Sequence, residues 1–219
     1  MKVYSAKAMA VRAVELCVEL LYERPSVASV TRILREHGET GELGSGKPGR
    51  GEHDLGEHGG TGELGLGEPG RGEHGLGEDG GTGELGLGED DVAAMRAAAA
   101  RLRDVLGAAD AGEAAALLNR ILAESARPPR LTSHAGSTTW HLHVDSGDDA
   151  PWGEWFLTSS AMALAVLLAD HQRVPGGLCA SSGCGRPFLD VGGGSPRRYC
   201  STRCATRERV AAHRSRTTR

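Results

Sequence analysis

Apolar residues recur at helical spacing in the first forty residues. Residues 8–22 carry them every three or four positions, which predicts an amphipathic helix. The stripe of this helix that faces the core is predicted to be Val11, Val14, Val18 and Leu21. Pro25-Ser26 ends the first helix and caps a second, which runs to about His37. The second helix is predicted to bury Val27, Val30, Ile33 and Leu34.

Three further helices are predicted after residue 90. Asp91 caps a helix that ends at Leu106, and Asp110 caps one that ends near Ser125. Both are rich in alanine, the residue with the highest helix propensity. The last helix of this region covers residues 152–171 and ends in the nine-residue apolar run AMALAVLLA. That run is too short to span a membrane, so we expect a core helix and no membrane partner.

A β-hairpin interrupts the helical pattern. Residues 130–133 and 138–144 are predicted strands on either side of Ala135-Gly136-Ser137. His141 and His143 stand two apart in the second strand and therefore face the same side. They could form half of a metal or ligand site, but no third ligand is evident nearby and a polar sheet face is the favoured interpretation. Trp152, Trp155 and Phe156 could line a ligand pocket, although core packing is favoured for them as well.

Composition separates one segment from the rest of the chain. Residues 38–88 hold 21 of the 33 glycines, and Gly-Glu-Leu-Gly recurs every 21 residues, at 41–44, 62–65 and 83–86. The repeat unit has too few apolar side chains to stack as a solenoid, and glycine is costly to order. We therefore predict a disordered acidic insertion over residues 38–88. Its histidines, such as His53, could bind metal only weakly.

Charge is distributed very unevenly. The net charge of the chain is −4, but residues 36–91 carry −12 and residues 172–219 carry +8. A basic end of this kind is typical of proteins that bind nucleic acid. The first 20 residues have charges within their apolar stretch, which is atypical of a secretory signal, so we expect a cytoplasmic protein.

Four of the five cysteines cluster near the C-terminus. Cys179, Cys184, Cys200 and Cys204 have the spacing C-x4-C-x15-C-x3-C, which suits a tetrahedral zinc ion held by thiolates. An iron–sulfur cluster and a thiol switch are the alternatives. Cysteine at all four positions leaves no open coordination site, so the zinc is predicted to be structural. The fifth, Cys17, is expected to be a buried, inert thiol.

The segments between these cysteines predict the layout of a small module. Gly185 directly follows Cys184 and provides the backbone freedom that a tight turn around this cysteine, the knuckle, needs. Residues 186–191 are predicted to form a strand, Gly192-Gly193-Gly194-Ser195 a turn, and residues 196–199 the returning strand. Cys200 and Cys204 then begin a helix. Together these elements predict a zinc-ribbon or treble-clef-like module, and an α+β fold whose N-terminal domain is mainly helical with one hairpin.

Arginines surround the predicted zinc site. Arg203, Arg207 and Arg214 fall on one face of the last helix, Arg197 and Arg198 precede the third cysteine, and Arg186 follows the second. Arginine forms bidentate contacts with phosphate and with guanine, so these six residues are the predicted contacts with DNA. The alternative is a solvated helix whose charge offsets that of a four-thiolate zinc.

The C-terminal segment resembles the CGNR zinc finger of bacterial, especially actinobacterial, proteins. The resemblance rests on the four cysteines, Gly185-Arg186, Phe188 with Asp190, Arg197-Arg198-Tyr199-Cys200 and the basic helix that follows. The name-giving Cys-Gly-Asn-Arg stands here as Cys204-Ala205-Thr206-Arg207. The preceding region is similar to the ABATE domain of the same proteins, at Ala13–Leu16, Ala114–Leu122, Trp140–Val144 and Trp152–Trp155.

The resemblance implies a zinc-dependent DNA-binding transcription regulator, with an effector or protein partner at the ABATE-like domain. Its expected boundaries are residues 1–37 and 89–172 for the ABATE-like domain and 173–219 for the zinc finger. A zinc-stabilised module that docks on acidic protein partners is the alternative function. An enzyme that uses His141 and His143 is disfavoured, because the sequence offers no nucleophile–base pair and no phosphate-binding loop.

Overall fold

The computed structural model describes residues 5–39 and 85–217 of the 219-residue chain. Within these ranges the chain forms helices α1 Ala6–Tyr22, α2 Val27–Glu36, α3 Glu89–Leu106, α4 Ala111–Ser125, α5 Trp152–His171 and α6 Thr202–Thr217. The strands are β1 Arg130–Thr132, β2 His141–His143, β3 Gly176–Leu178 and β4 Pro187–Leu189. They form two antiparallel pairs, β1 with β2 and β3 with β4. The predicted α+β class is confirmed.

Helix α5 is the centre of the N-terminal bundle. It contacts α1, α3 and α4 and buries Phe156 and Leu164 completely. Gly153 permits a close approach to α3, since a Cβ at this position would lie 2.8 Å from the Cβ of Ala94. By length and composition alone α5 could cross a membrane, but its contacts with three helices make it the core helix that the sequence predicts.

The buried face of α1 differs from the predicted one. Val11 is 38% exposed, whereas Leu16 and Leu20 are fully buried. The buried side also carries Ala10, Ala13 and Cys17. Periodicity alone cannot choose between two neighbouring apolar stripes. Here the stripe that carries Leu16 and Leu20 faces inward, because α1 packs against both α3 and α5 on that side.

Two predicted helix starts have different outcomes. Asp110 caps α4, and its side chain accepts a hydrogen bond from the N–H of Glu113 at 2.9 Å, as predicted. The prediction that Asp91 caps α3 is wrong. The helix starts two residues earlier, with Gly88 as N-cap, and the carboxylate of Asp91 accepts the N–H of Gly88 at 2.9 Å. Asp91 thus stabilises the same helix end from one turn inside it.

The folded region extends into both ends of the segment predicted to be an insertion. Glu39 is 4% exposed and Leu85 is 3% exposed, and Leu85 belongs to the hydrophobic core. Glu39 and Leu85 therefore pack with the helical region, and the boundaries at residues 38 and 88 stay a prediction. The repeats themselves, within residues 40–84, lie outside the described residues, so their predicted disorder stays a prediction.

The β3–β4 hairpin packs on the end of the helical bundle. Strand β3 was not predicted, and it pairs with β4, which lies inside the predicted strand 186–191. The predicted return strand at residues 196–199 does not form. Only glycine fits at Gly176, because a Cβ there would lie 2.2 Å from the carbonyl oxygen of Phe188 and 2.8 Å from a methyl group of Leu106. The hairpin is thereby held close to α3.

Polar contacts join the zinc-finger region to the bundle. The hydroxyl of Tyr22, at the end of α1, donates to the carbonyl oxygen of Gly185 at 2.7 Å. The same hydroxyl accepts a hydrogen bond from Nε of Arg103 at 2.8 Å. Arg186 forms an ion pair with Glu23 beside them. The knuckle that carries Cys184 is therefore anchored on α1 and α3.

Candidate zinc centre and nucleic-acid interface

The four C-terminal cysteines converge on one point. Cys179 follows β3, Cys184 lies in the knuckle, Cys200 lies two residues before α6 and Cys204 stands in its first turn. The Sγ atoms of the last three are 3.8 Å apart in every pair, and all four Sγ atoms lie within 4.8 Å of one another. Tetrahedral zinc with Zn–S bonds of about 2.3 Å separates its sulfurs by about 3.8 Å. The cysteines are thus positioned to bind one zinc ion.

Local backbone geometry explains how the chain brings the cysteines together. Gly183 and Gly185 flank Cys184 and have φ values of +70° and +60°, which favour glycine. The N–H of Cys184 donates to the carbonyl oxygen of Ser181 at 2.9 Å, which closes the knuckle. The N–H of Cys179 donates to the carbonyl oxygen of Arg186 at 2.9 Å, so the same turn brings Cys179 beside Cys184.

The thiols of the site differ in how readily they ionise: burial, followed by the neighbouring thiols, raises the pKa of Cys200 to about 12, whereas polar groups favour the ionised form of Cys204. The Ser201 hydroxyl, followed by the neighbouring thiols, lowers the pKa of Cys204 to about 6. The guanidinium of Arg207 donates to Sγ of Cys204 at 3.3 Å. Since the thiolate is the species that binds metal, these contacts prepare Cys204 to act as a ligand.

The fifth cysteine has the opposite environment. Cys17 is fully buried between helices, and burial raises its pKa to about 12. A thiol of this kind is almost entirely protonated at neutral pH and is shielded from reagents. The predicted inert role of Cys17 agrees with this position.

This contrast leads to an expected labelling pattern. In the native zinc-loaded protein a thiol reagent should label the four zinc-ligand cysteines slowly and leave Cys17 unlabelled. A chelator should expose four that react fast, while Cys17 should react only after denaturation. Mass spectrometry of the labelled protein would count the modified sites. Four fast-reacting thiols before the chelator is added would contradict zinc ligation.

Three of the six arginines predicted to contact DNA form contacts that support the zinc finger. Arg207 holds Cys204 and also donates from Nε to the hydroxyl of Ser181 at 3.1 Å. Arg197 donates to the carbonyl oxygen of Cys200 at 3.0 Å, and its guanidinium lies 5.3 Å from the ring centre of Phe188. Arg186 is engaged by Glu23, as described above. Through these contacts the three side chains stabilise the zinc-finger region of this chain.

All of the predicted arginines except the half-buried Arg186 are exposed, including Arg198, Arg203 and Arg214. Two more exposed arginines, Arg209 and Arg216, lie on α6 and were missing from the predicted set. The charge count of the sequence did include both residues in the basic C-terminal segment. The one-face helical argument excluded them, although α6 turns out to be exposed on nearly all sides and buries only Cys204.

The single acidic residue of α6 is turned away from the exposed surface. The Glu208 carboxylate accepts hydrogen bonds from the Ser181 hydroxyl at 2.8 Å and from the N–H of Ser182 at 2.9 Å. The same contacts, with the Ser181 hydroxyl as the largest cause, lower the pKa of Glu208. Glu208 therefore stays ionised and clamps α6 to the knuckle, and the outer surface of the helix stays basic.

The remaining candidate residues lie in the N-terminal domain. His141 and His143 are buried rather than placed on a solvated sheet face, and the fold brings His134 beside them. Sequence reasoning missed His134 because it lies in the turn before β2, outside the strand pattern. Trp152 and Trp155 are buried and stack edge to face at 5.2 Å, which is core packing, as favoured.

The family model described as "Putative stress-induced transcription regulator", ABATE, matches residues 25–171. The chain belongs to the ABATE family. The CGNR zinc finger model matches residues 177–217, in the same order along the chain as the resemblance implied. Neither of these families is an enzyme class. No curated protein matches the chain. The zinc-finger assignment agrees with the four-cysteine geometry, and the regulator description of the ABATE family is consistent with a soluble protein.

Proposed function

We propose that this ABATE-family protein is a DNA-binding regulator in which zinc fixes the base of α6 and the exposed part of α6 contacts the DNA backbone. The observation that carries the proposal is α6 itself. It is a 16-residue helix with five arginines, one acid and a single buried residue. A helix so little packed within its own chain contributes almost no folding energy. Its positive charge and its exposure are those of a surface that binds a polyanion.

The dimensions of α6 suit a DNA duplex. A helix of this length spans about 24 Å at about 1.5 Å per residue. The major groove of B-DNA is about 12 Å wide and admits one α-helix. Zinc ligation and the Glu208 clamp hold the first turns of α6, so the exposed arginines are presented on a fixed support.

The chemistry of α6 favours phosphate contacts over base recognition. Arg203 and Arg214 are exposed on one side of the helix, and Arg209 and Arg216 on the other. The pair Ala205-Thr206 supplies no side-chain amide, whereas asparagine and glutamine are the residues that pair bidentately with adenine. We therefore infer that affinity comes mainly from the phosphate backbone, and that sequence preference is weak in this module by itself.

The variant Arg203→Ala/Arg214→Ala tests this proposal. Binding of the wild-type protein to a fluorescent duplex should weaken steeply as salt rises, because phosphate contacts release counterions. Losing two phosphate contacts should reduce the slope of log K against log salt by about 2, since each contributes about 0.9. Fluorescence anisotropy at several salt concentrations measures this slope.

Matched variants give the controls. Arg96→Ala/Arg120→Ala removes the same charge from exposed positions on α3 and α4 and should leave the slope unchanged. Arg203→Lys/Arg214→Lys keeps the charge and should retain most of the slope. Failure of the wild-type protein to bind any duplex at low salt would sink the proposal. Equally tight binding to polyglutamate would instead indicate docking on acidic protein partners.

A further inference from the structure

Three histidines form a compact cluster in the first hairpin. His134 lies in a short 3-10 turn, and His141 and His143 stand on the same side of β2. Nε2 of His141 is 3.2 Å from Nε2 of His134 and 3.0 Å from Nε2 of His143. The three residues are only 9%, 7% and 6% exposed in chain order. The cluster is therefore an interior site.

The hydrogen bonds behind two of the rings fix their tautomers. Nδ1 of His141 lies 2.7 Å from the carbonyl oxygen of Thr139, and Nδ1 of His143 lies 2.8 Å from a carboxylate oxygen of Asp145. Both oxygens can only accept, so each Nδ1 carries the proton of its neutral ring. The lone pair of each ring is then on Nε2. Two lone pairs consequently point at the same place.

The third ring has the same arrangement. Nδ1 of His134 faces a carboxylate oxygen of Asp148 at 3.5 Å, so its Nε2 is also the atom directed into the cluster. Three imidazoles that direct the lone pairs of Nε2 toward one point repel one another electrostatically. A cation at that point reverses the sign of this interaction.

We propose that His134, His141 and His143 bind a divalent transition metal ion of the zinc class through their Nε2 atoms. Tetrahedral zinc with Zn–N bonds of about 2.05 Å separates its nitrogens by about 3.3 Å, close to the two measured distances. Imidazole suits zinc, copper, iron and nickel. Three protein ligands leave a fourth position for water or a small oxygen donor, unlike the closed four-cysteine centre. The inference does not depend on DNA binding.

The groups behind the histidines form the outer shell that such a site needs. The Asp145 side chain is 1% exposed and pairs with Arg130 at 2.6 Å. Arg130 also pairs with Asp148 at 3.0 Å. One guanidinium thus fixes both carboxylates that orient His143 and His134. Metal-bound histidines commonly donate their second N–H to a carboxylate or carbonyl held in this way.

The backbone at the third ligand is strained. His134 and Ala135 have φ values of +47° and +55°, in the left-handed region that is unfavourable for non-glycine residues. The N–H of His134 donates to Thr132 Oγ1 at 3.1 Å, and its carbonyl accepts from Ser137 at 2.8 Å. These bonds hold the turn in the conformation that returns His134 over β2. A strained backbone conformation of this kind persists where the surrounding structure holds it in place, and such positions cluster at functional sites.

Metal counting on the full-length chain tests the proposal. After equilibration with Zn²⁺ and removal of unbound metal, the wild-type protein should hold two ions, one in each centre. His141→Ala and His143→Ala should each hold one. With Co²⁺ as the probe, the thiolate-to-cobalt charge-transfer absorption of the cysteine centre should be the same in all three proteins. That absorption also reports whether the zinc finger of each variant is intact.

Matched histidine variants complete the experiment. His171→Ala changes an exposed histidine on α5 and should keep two ions. The variant His53→Ala/His58→Ala/His74→Ala should also keep two, which excludes the acidic repeats as the second site. Since the rings of the cluster are buried, His143→Gln is measured beside His143→Ala to limit unfolding, and it should hold one ion. A single ion in the wild-type chain, or two in His141→Ala, would overturn the proposal.

Discussion

Replacing Cys204 with serine is expected to release zinc and unfold the C-terminal zinc finger. A serine hydroxyl does not replace a thiolate as a zinc ligand under neutral conditions. Structural zinc contributes about 10–16 kcal/mol in zinc-finger peptides at pH 7, so loss of one ligand removes most of the free energy that folds such a module. Within the described residues of this region, the buried apolar side chains besides the cysteines are few, with Phe188 the largest.

The bundle should survive this change. Its core of α1, α3, α4 and α5 contains none of the four zinc ligands. We therefore expect trypsin to cleave Cys204→Ser rapidly at the arginines of α6, while the helical domain resists. Loss of the thiolate-to-cobalt absorption would identify the cysteine centre as the one affected.

Cys17→Ala is the matched control for this experiment. It removes a buried thiol that is not among the zinc ligands, and it should keep both the zinc and the protease resistance of α6. Its own effect should be a loss of stability of the bundle, because a small cavity replaces the Sγ atom. An intact cysteine centre in Cys204→Ser would show that this residue is not a ligand.

Replacing Arg12 with alanine is expected to destabilise the helical domain by about 3–5 kcal/mol, because it leaves a buried carboxylate without its counter-charge. Arg12 and Glu39 form an ion pair whose side chains are 4% and 3% exposed. Arg12 also donates to the hydroxyl of Ser159 at 3.3 Å and stacks 4.3 Å above the ring of Trp155. In thermal unfolding the Tm should fall by roughly 10 °C.

The loss in Arg12→Ala should depend on pH in a defined direction. Burial raises the pKa of Glu39 above its usual value of 4.5, and the charge of Arg12 opposes that rise. Without Arg12 the folded-state pKa is higher still, so the folded protein holds a proton that the unfolded chain has lost. Stability then falls as pH rises from 4.5 through the raised pKa. The defect should be larger at pH 8 than at pH 5.

Two variants separate this effect from other titrating groups. His143, His134 and His37 also interact electrostatically with Glu39. Arg12→Ala/Glu39→Gln has no carboxylate to bury, so it should regain part of the lost stability at pH 8 and lose most of the added pH dependence. Arg32→Ala breaks the exposed pair with Glu36 and should destabilise the protein far less than Arg12→Ala, because solvent screens the pair. An equal loss in Arg32→Ala and Arg12→Ala would contradict this account.

The amino-acid sequence by itself determined the features that depend on local spacing. The interval between cysteines predicted four ligands for one zinc ion, and capping together with apolar periodicity predicted α4 and α5 at the observed residues. Such signals are local because a zinc knuckle and a helix are each defined by neighbours a few residues apart. The basic C-terminus could be identified for the same reason, by counting charges along the segment.

Only the tertiary structure decided which side of α1 is buried, which arginines contact the zinc finger and which histidine completes the cluster. Val11 and Leu16 are both apolar, but packing against α3 and α5 buries the side that carries Leu16. Arg207 and Arg203 share a predicted helix face, yet only Arg207 reaches Cys204 and Ser181. His134 joins β2 because its backbone turns left-handed. Each outcome depends on the path of the backbone and on which elements pack together, and residue spacing alone does not determine either of these.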